Sequence, residues 1–345
     1  MDIREIARRA KVSTATVSRV INGVTTVNPQ MAKRVWNVIE ELNYYPNTQA
    51  RALVSGRSRI FGLIISEITN PFFPEMVQVF ERIAVQHQYE IMLTSTGNDP
   101  TRMKTAVRRM IERRVDGVAV MTFGMEEVLL EDLKLRSVPL VFVDVGPERP
   151  RIGNIRIDYL HGIRQAVQHL AALRHKEIAF ISGPLRLRSA EARQQAFLQS
   201  MEEIRLEARP DLIIEGNHTI EGGIQAFAQL LTRPLKPTAV LCSNDMTALG
   251  VMRHSYEVGI RIPQDLSIIG FDDIHLAQFV LPALTTVQMS QSELARLAFN
   301  ALLSEVERGT PSPTRMEYVL TTELVLREST RLLSDPAPRT KRGKK

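Results

Sequence analysis

Val12-Ser13-Thr14-Ala15-Thr16-Val17-Ser18-Arg19-Val20-Ile21-Asn22 is the stretch on which the reading of this chain turns. Val17, Val20 and Ile21 fall on one face of a short helix and leave Thr14, Ala15, Ser18 and Arg19 on the other. Ser13 stands where an N-cap belongs, its hydroxyl placed to accept from an amide of the first turn. Asn22-Gly23 reads as the helix stop. Upstream, Ile3, Ile6, Ala7 and Ala10 recur at helical spacing until Lys11-Val12-Ser13 breaks the pattern. Downstream, Asn28-Pro29 opens a third helix as cap and first helical residue, with an apolar stripe of Met31, Val35, Val38, Ile39 and Leu42. Two short helices around a tight turn, closed by a third, predict a helix-turn-helix. The second helix is too short to stand alone, and its small outward residues suit close approach to base edges in the major groove. A three-helix interaction domain without DNA would share this skeleton.

Charge points the same way. The chain of 345 residues carries a formal net +6, unevenly spread. Residues 1–59 hold ten Lys/Arg against four Asp/Glu, residues 60–330 hold 28 against 33, and residues 331–345 hold six against one. Basic ends around a mildly acidic body call for an anionic partner, nucleic acid or a membrane surface. A hydrophobic fraction of 44% with 24% charged residues is that of a globular protein, and the length fits two or three domains. Cys242 is the sole cysteine, which excludes an intrachain disulfide framework and a cysteine-based metal cluster and fits a reducing compartment. No apolar run reaches the roughly 18 residues of a membrane span. Met1 to Ile6 mixes acids and bases where an export signal needs an apolar stretch, so a cytoplasmic protein is expected, with no membrane partner.

Beyond Tyr44-Tyr45-Pro46, Asn47 would cap a helix of one to two turns ending in a Ser-Gly-Arg-Ser linker. A helix that short does not fold alone in water and would order only against a partner. Together, Val12 to Asn22, Asn43-Tyr44-Tyr45-Pro46-Asn47 and Ala50-Arg51-Ala52-Leu53 resemble the lactose-repressor/galactose-repressor (LacI/GalR) family of bacterial regulators. The resemblance implies that Thr14, Ala15, Thr16 and Arg19, with Ser18 beside them, face bases in the major groove. It also implies a DNA-binding hinge of Asn47, Ala50, Arg51 and Leu53, in which the leucine wedges into the minor groove and kinks the duplex. Lys11 departs from the pattern, since the family often has Gly or Asn at that turn, suited to positive φ.

From residue 60 the pattern changes. Apolar runs at Ile60–Ile65, Tyr89–Leu93, Val115–Met121, Leu140–Val143, Glu177–Ile181, Leu212–Ile214, Ala239–Cys242 and Leu266–Ile269 alternate with helical stretches such as 101–113, 191–204, 222–231 and 290–306. This is the signature of parallel sheets with helices on both faces. The fold class expected is therefore α/β: a helix-turn-helix three-helix DNA-binding domain (1–46), a hinge and linker (47–59), two doubly wound parallel-sheet lobes (60–330) and a basic tail (331–345). The lobes should part near residue 160, with a return near 285–290. The family resemblance continues here and implies a fold similar to periplasmic binding proteins, with a ligand cleft between the lobes.

Ligands in such sheets sit beyond the carboxyl ends of the strands. By the family pattern the ligand residues are Phe73, Asp144, Arg193, Asn244 and Asp272, and His218 stands where relatives often carry a bulky aromatic. Aromatic rings with Asp, Asn and Arg suit a polyhydroxylated effector, the ring stacking while polar groups bond to hydroxyls. Each residue also has a structural reading. Phe73 could belong to the core, Asp144 could cap a turn, Arg193 and Asp272 could pair, and Asp245 could cap a helix over 246–258. Arg188 and His218 near the cleft raise a sugar acid or sugar phosphate as the effector.

No P-loop, G-x-G-x-x-G, G-x-S-x-G or H-E-x-x-H motif occurs, and no histidine pair has metal-ligand spacing beside a carboxylate. No metal or cofactor is expected, and the chain is read as a non-enzyme. The expectation is a homodimeric repressor that reads a near-palindromic operator and is switched by a small sugar-like effector. The C-terminal residues lack a leucine heptad, which favours a dimer. Two rival readings are a soluble sugar-binding receptor without DNA binding and a sugar-acting α/β enzyme using Asp144 or Asp272-Asp273.

Overall fold

The computed structural model describes residues 2–21, 26–44, 56–122, 138–144, 152–308 and 317–333. The first of its two compact units lies within residues 1–59 and includes Arg113–Val115. Asp2 caps α1 (Ile3–Ala10), its carboxylate accepting from the Arg4 amide. Lys11 then turns the chain at φ 53°, the left-handed conformation that Gly or Asn would adopt at lower cost. Ser13 caps α2 (Thr14–Ile21), its Oγ accepting from the Thr16 amide at 3.1 Å. Asn28 caps α3 (Pro29–Glu41) through the Gln30 amide at 2.9 Å, with Pro29 in the first turn. The helices close around Ile6, Ala10, Val17, Val20, Val35 and Ile39. The stripe expected on α3 is narrower than its spacing suggests, because Met31 in the first turn is 41% exposed. Asn22-Gly23, the hinge residues Asn47, Ala50, Arg51 and Leu53, and the tail from 334 onward lie outside the described residues.

The second unit holds two sheets. β1 (Ile60–Ile65), β2 (Glu90–Ser95), β3 (Gly117–Met121), β4 (Leu140–Val143), β5 (Ile152–Asp158) and β11 (Glu317–Thr321) form a parallel sheet in the order β11-β5-β4-β3-β1-β2. β6 (Ile178–Ser182), β7 (Ile213–Glu215), β8 (Ala239–Cys242), β9 (Ser267–Asp272), β10 (Thr285–Gln288) and β12 (Glu323–Val325) form the other, in the order β12-β10-β9-β8-β6-β7. All its pairings are parallel except β12 against β10. Helices α4 (Phe72–Gln86), α5 (Pro100–Glu112), α6 (Tyr159–Ala172), α7 (Arg188–Glu203), α8 (Ile220–Thr232), α9 (Asp245–Glu257) and α10 (Gln291–Arg308) complete the lobes. Every residue of β3, β4, β6, β8 and β9 is buried, which is why these strands read as unbroken apolar runs.

In both sheets the first strand in sequence sits between the second and the third, which creates a topological switch point in each lobe. The break expected near 160 falls between Asp158 and Tyr159. The chain returns between β10 and α10 and crosses once more at Thr322, between β11 and β12. Sequence reading anticipated the first two crossings and missed the third. It also missed β5, β10, β11 and β12. These strands carry polar residues held by partners remote in sequence: Thr286 donates to Asp245 at 2.6 Å, and the Thr285 amide donates to Ser329 Oγ at 2.8 Å. No described helix is long and apolar enough to cross a membrane.

Candidate functional site

In the first unit, α2 buries Val17 and Val20 and turns its other face outward. Thr14, Ala15 and Arg19 are exposed, and Thr16 and Ser18 half-buried. The Thr16 hydroxyl lies 2.9 Å from Ser13 Oγ, so it also fixes the helix start. Arg8 and Arg9 of α1 are tied to Glu5, and Arg9 reaches Glu41 of α3 at 2.8 Å. The Arg19 side chain thus stands on a short, well-capped helix beside small hydroxyl and methyl groups. That combination suits insertion into a groove.

In the second unit, a cavity of about 400 Å³ opens at the carboxyl ends of the strands, with walls from both lobes. Phe72 and Phe73, buried and edge-to-face at 5.4 Å, give it an apolar side from the first turn of α4. Arg193 from α7 and Asp272 at the end of β9 face it from the other lobe, each only 4% exposed. Arg193 Nη1 donates to the Ser243 carbonyl at 2.6 Å, and its guanidinium lies over the Phe271 ring at 4.1 Å. Its Nη2 is 3.5 Å from Asp272 Oδ1, an ion pair too long to be a hydrogen bond. Arg193 Nε and Asp272 Oδ1 are therefore buried without a hydrogen-bond partner, and so is Asn98 Oδ1 across the cavity. Buried polar atoms of this kind are costly unless something completes them. Burial pushes the Asp272 carboxyl up to about 7, against the pull of Arg193. Asp272 and Asp273 hold φ 108° and 55°, and His218 holds 65°. Such strain in side-chain-bearing residues gathers at binding sites.

The other expected ligand residues divide. His218 lines the cavity with Nε2 at 2.5 Å from Ser243 Oγ, and burial and Arg193 lower its pKa to about 3, so the ring is neutral. Its ring occupies the space above Gly183, where a Cβ would come within 2.0 Å of Nε2. Asn244 also lines the cavity, but its side chain is committed. Oδ1 caps α9 through the Thr247 amide at 2.9 Å, and Nδ2 donates to the His218 carbonyl at 3.1 Å. Asp245 is consequently not the cap expected of it. It is fully buried, accepting from Thr286 and from the Ile274 amide, and burial holds its carboxyl well above the usual range. Asp144 is a correction too, since it does not line the cavity. It accepts from the Ile157 amide at 2.6 Å and from the Tyr159 hydroxyl, and burial raises its carboxyl to about 6. Arg188 is exposed and off the wall, where Leu187 stands instead.

Sequence reading passed over Glu67, Asn98 and Glu221, which line the cavity from the ends of β1 and β2 and the start of α8. Only their place just past a strand end could have singled them out. It also missed a clamp behind Asp272. Asp273 is 2.6 Å from Arg327 and accepts from Gln288 Nε2 at 2.8 Å, and Gln291 Nε2 donates to the Asp272 carbonyl at 3.1 Å. Gln288, Gln291 and Arg327 flank the second and third crossings between the lobes.

Residues 2–47 match the family described as "Bacterial regulatory proteins, lacI family", and residues 167–330 match "Periplasmic binding protein-like domain". The chain is 35% identical over 338 residues to the HTH-type transcriptional repressor PurR of Glaesserella parasuis, covering 96% of this chain and 99% of the relative. Its counterpart in Actinobacillus pleuropneumoniae is 36% identical over 96% of this chain and 99% of its own length. The chain belongs to the lacI family of bacterial regulatory proteins. Among solved structures of the family, a lac repressor dimer bound to operator and an anti-inducer superimposes with a TM-score of 0.84 at 28% identity, covering 96% of this chain and 99% of that one. As a lacI-family member, the chain carries both an outward-facing α2 and a cavity with unsatisfied polar atoms.

Proposed function

We propose that this lacI-family chain is a transcriptional repressor that binds operator DNA as a homodimer and is switched by a small effector in the cavity. The carrying observation is the buried pair of Arg193 Nε and Asp272 Oδ1, built into a two-lobed wall without hydrogen-bond partners. Thr14, Ala15, Thr16, Ser18 and Arg19 read the major groove. Residues 47–59 act as the hinge, with Leu53 at the operator centre and Asn47, Ala50 and Arg51 supporting it. Phe73, Arg193, His218 and Asp272 bind the effector directly, while Asn244 shapes the wall. Asp144 acts through Tyr159, whose ring lies 5.1 Å from the Arg193 guanidinium. The repressor titles of the relatives support this reading, as does the operator-bound lac repressor dimer.

The three crossings let the lobes shift against one another, and an effector moves that equilibrium by its differential affinity for the two arrangements. A contact already spans the lobes, since the His275 amide donates to Glu75 at 3.0 Å. The protein acts in the cytoplasm and performs no catalysis. Phosphate contacts make operator affinity fall steeply with salt. The test is a gel-shift titration of the full chain on DNA flanking its own gene, with an unrelated duplex as control. Equal retardation of both duplexes would sink the operator reading and leave the soluble-receptor alternative.

A further inference from the structure

The sign of the cavity's charge narrows what it can hold. Among the described residues lining it, Glu67, Glu221 and Asp272 are acids and Arg193 is the one Lys or Arg; His218 is neutral. Arg102 lies close to the Gly97 backbone, within 3.0 Å of where a Cβ would stand, but is not part of the wall. Helix N-termini ordinarily offset such acidity and invite anions. Here α4, α7, α8 and α9 all bring their first residues to the wall or its edge, and each carries an acid in that turn: Glu75, Glu191, Glu221 and Asp245. The amides that a phosphate would use are also taken. Asn70 accepts from the Phe72 amide at 3.1 Å, Thr219 from Gly222 at 3.0 Å, and Asn244 from Thr247 at 2.9 Å. Of the three unpartnered buried atoms, Asp272 Oδ1 and Asn98 Oδ1 are acceptors on opposite lobes, and Arg193 Nε is a donor.

We infer that this cavity takes an uncharged or cationic molecule rich in hydrogen-bond donors, hydroxyl or amino groups, and refuses phosphates and carboxylates. A donor at each end satisfies Asp272 and Asn98 together and so draws the lobes onto the ligand, while one acceptor meets Arg193. This overturns the sugar acid or sugar phosphate that Arg188 suggested. The inference rests on the effector reading above, yet its test does not need the effector.

In the full chain, Ile220→Cys places a thiol on the wall beside Glu221, and Met246→Cys places a second on α9 should the first fail to fold. The thiol is labelled with the cationic 2-aminoethyl and the anionic 2-sulfonatoethyl methanethiosulfonate, with the parent protein as blank for buried Cys242. The rate ratio is compared with that of a cysteine at exposed Gly56. The expected result is a cation preference at least about tenfold greater in the cavity, falling when Glu67→Gln and Glu221→Gln are added. A ratio equal to the surface value, or reversed, overturns the inference. A second arm compares thermal stabilisation by D-glucosamine, D-glucose, D-gluconate and D-glucose 6-phosphate. Stabilisation by either anion at the concentrations of the other two also overturns it. Cation preference in the thiol arm, with no compound able to release the operator, counts against the effector reading while the charge assignment stands.

Discussion

Replacing Asp272 with Asn should stabilise the effector-free protein at alkaline pH while abolishing its response to effector. Asp272 is 4% exposed, makes no hydrogen bond through Oδ1, and titrates at about 7 instead of the 3.8 of a free carboxyl. Between those two values the folded state binds a proton that the unfolded state has lost. Stability therefore falls as pH rises through that window, by about 1.4 kcal/mol for each pH unit, or about 4 kcal/mol in all. The attraction of Arg193 is already contained in that figure, because it opposes the rise. The loss is complete above about pH 7, and below about pH 4 the carboxyl costs nothing.

Asn at this position imitates the protonated acid in shape and charge, so it should hold its stability flat across the window. The assay is urea unfolding of both proteins without effector at intervals from pH 4.5 to 8. Asp144, which titrates near 6, tilts both profiles in the same direction, so the difference between them isolates Asp272. The wild-type midpoint should drop relative to the variant as pH rises, by an amount worth about 2–4 kcal/mol. Parallel profiles would falsify the argument that Asp272 is held at a cost for the sake of a ligand. Retention of effector-driven operator release by the variant would count equally against its role in the site.

Three further outcomes are expected. Gly183→Ala drives a methyl to within 2.0 Å of His218 Nε2, so the ring must leave its place; the urea midpoint should fall by about 1–3 kcal/mol, and an unchanged midpoint means the ring is not fixed there. Arg327→Met removes the 2.6 Å partner of Asp273, whose side chain is 11% exposed. It should cost about 2–3 kcal/mol and weaken effector binding without touching the ligand; Arg327→Lys should recover part of both losses, and an unaltered titration would dissolve the clamp. Arg19→Ala should weaken operator binding by about 1–3 kcal/mol in gel shifts and leave effector-induced thermal stabilisation untouched; a matching loss of stabilisation means the variant has damaged the fold instead.

Where a residue's role depends on its own neighbours in the chain, the sequence displays it. Ser13 and Asn28 cap the helices that follow them, and Lys11 turns left-handed between α1 and α2. The strands of the sheet centres are buried on both faces and so stand out as apolar runs. Roles that depend on distant partners do not show. Asp144 looks like a ligand residue until Tyr159, on the far side of the first crossing, takes its second oxygen. The cap of α9 belongs to Asn244 and not to Asp245, because Thr286 and the Ile274 amide claim the latter.

The charge of the cavity is the sharpest case, because helical register decides it. Leu187, Ser189 and Arg193 face the cavity, whereas Arg188, one residue and about 100° away on the helix, is turned to solvent. Counting basic residues near a strand end therefore gave the wrong sign. The four acids in the first turns of α4, α7, α8 and α9 are scattered from residue 75 to residue 245, and each by itself is an unremarkable helix-start acid. Only the parallel topology, which aims all four helix starts at one side of the sheets, turns them into a shared property of the site. An anionic effector would have to displace three side-chain caps and approach those acids to reach one arginine already bonded to the Ser243 carbonyl. A neutral polyol or an amine meets no such obstacle and satisfies Asp272 on arrival.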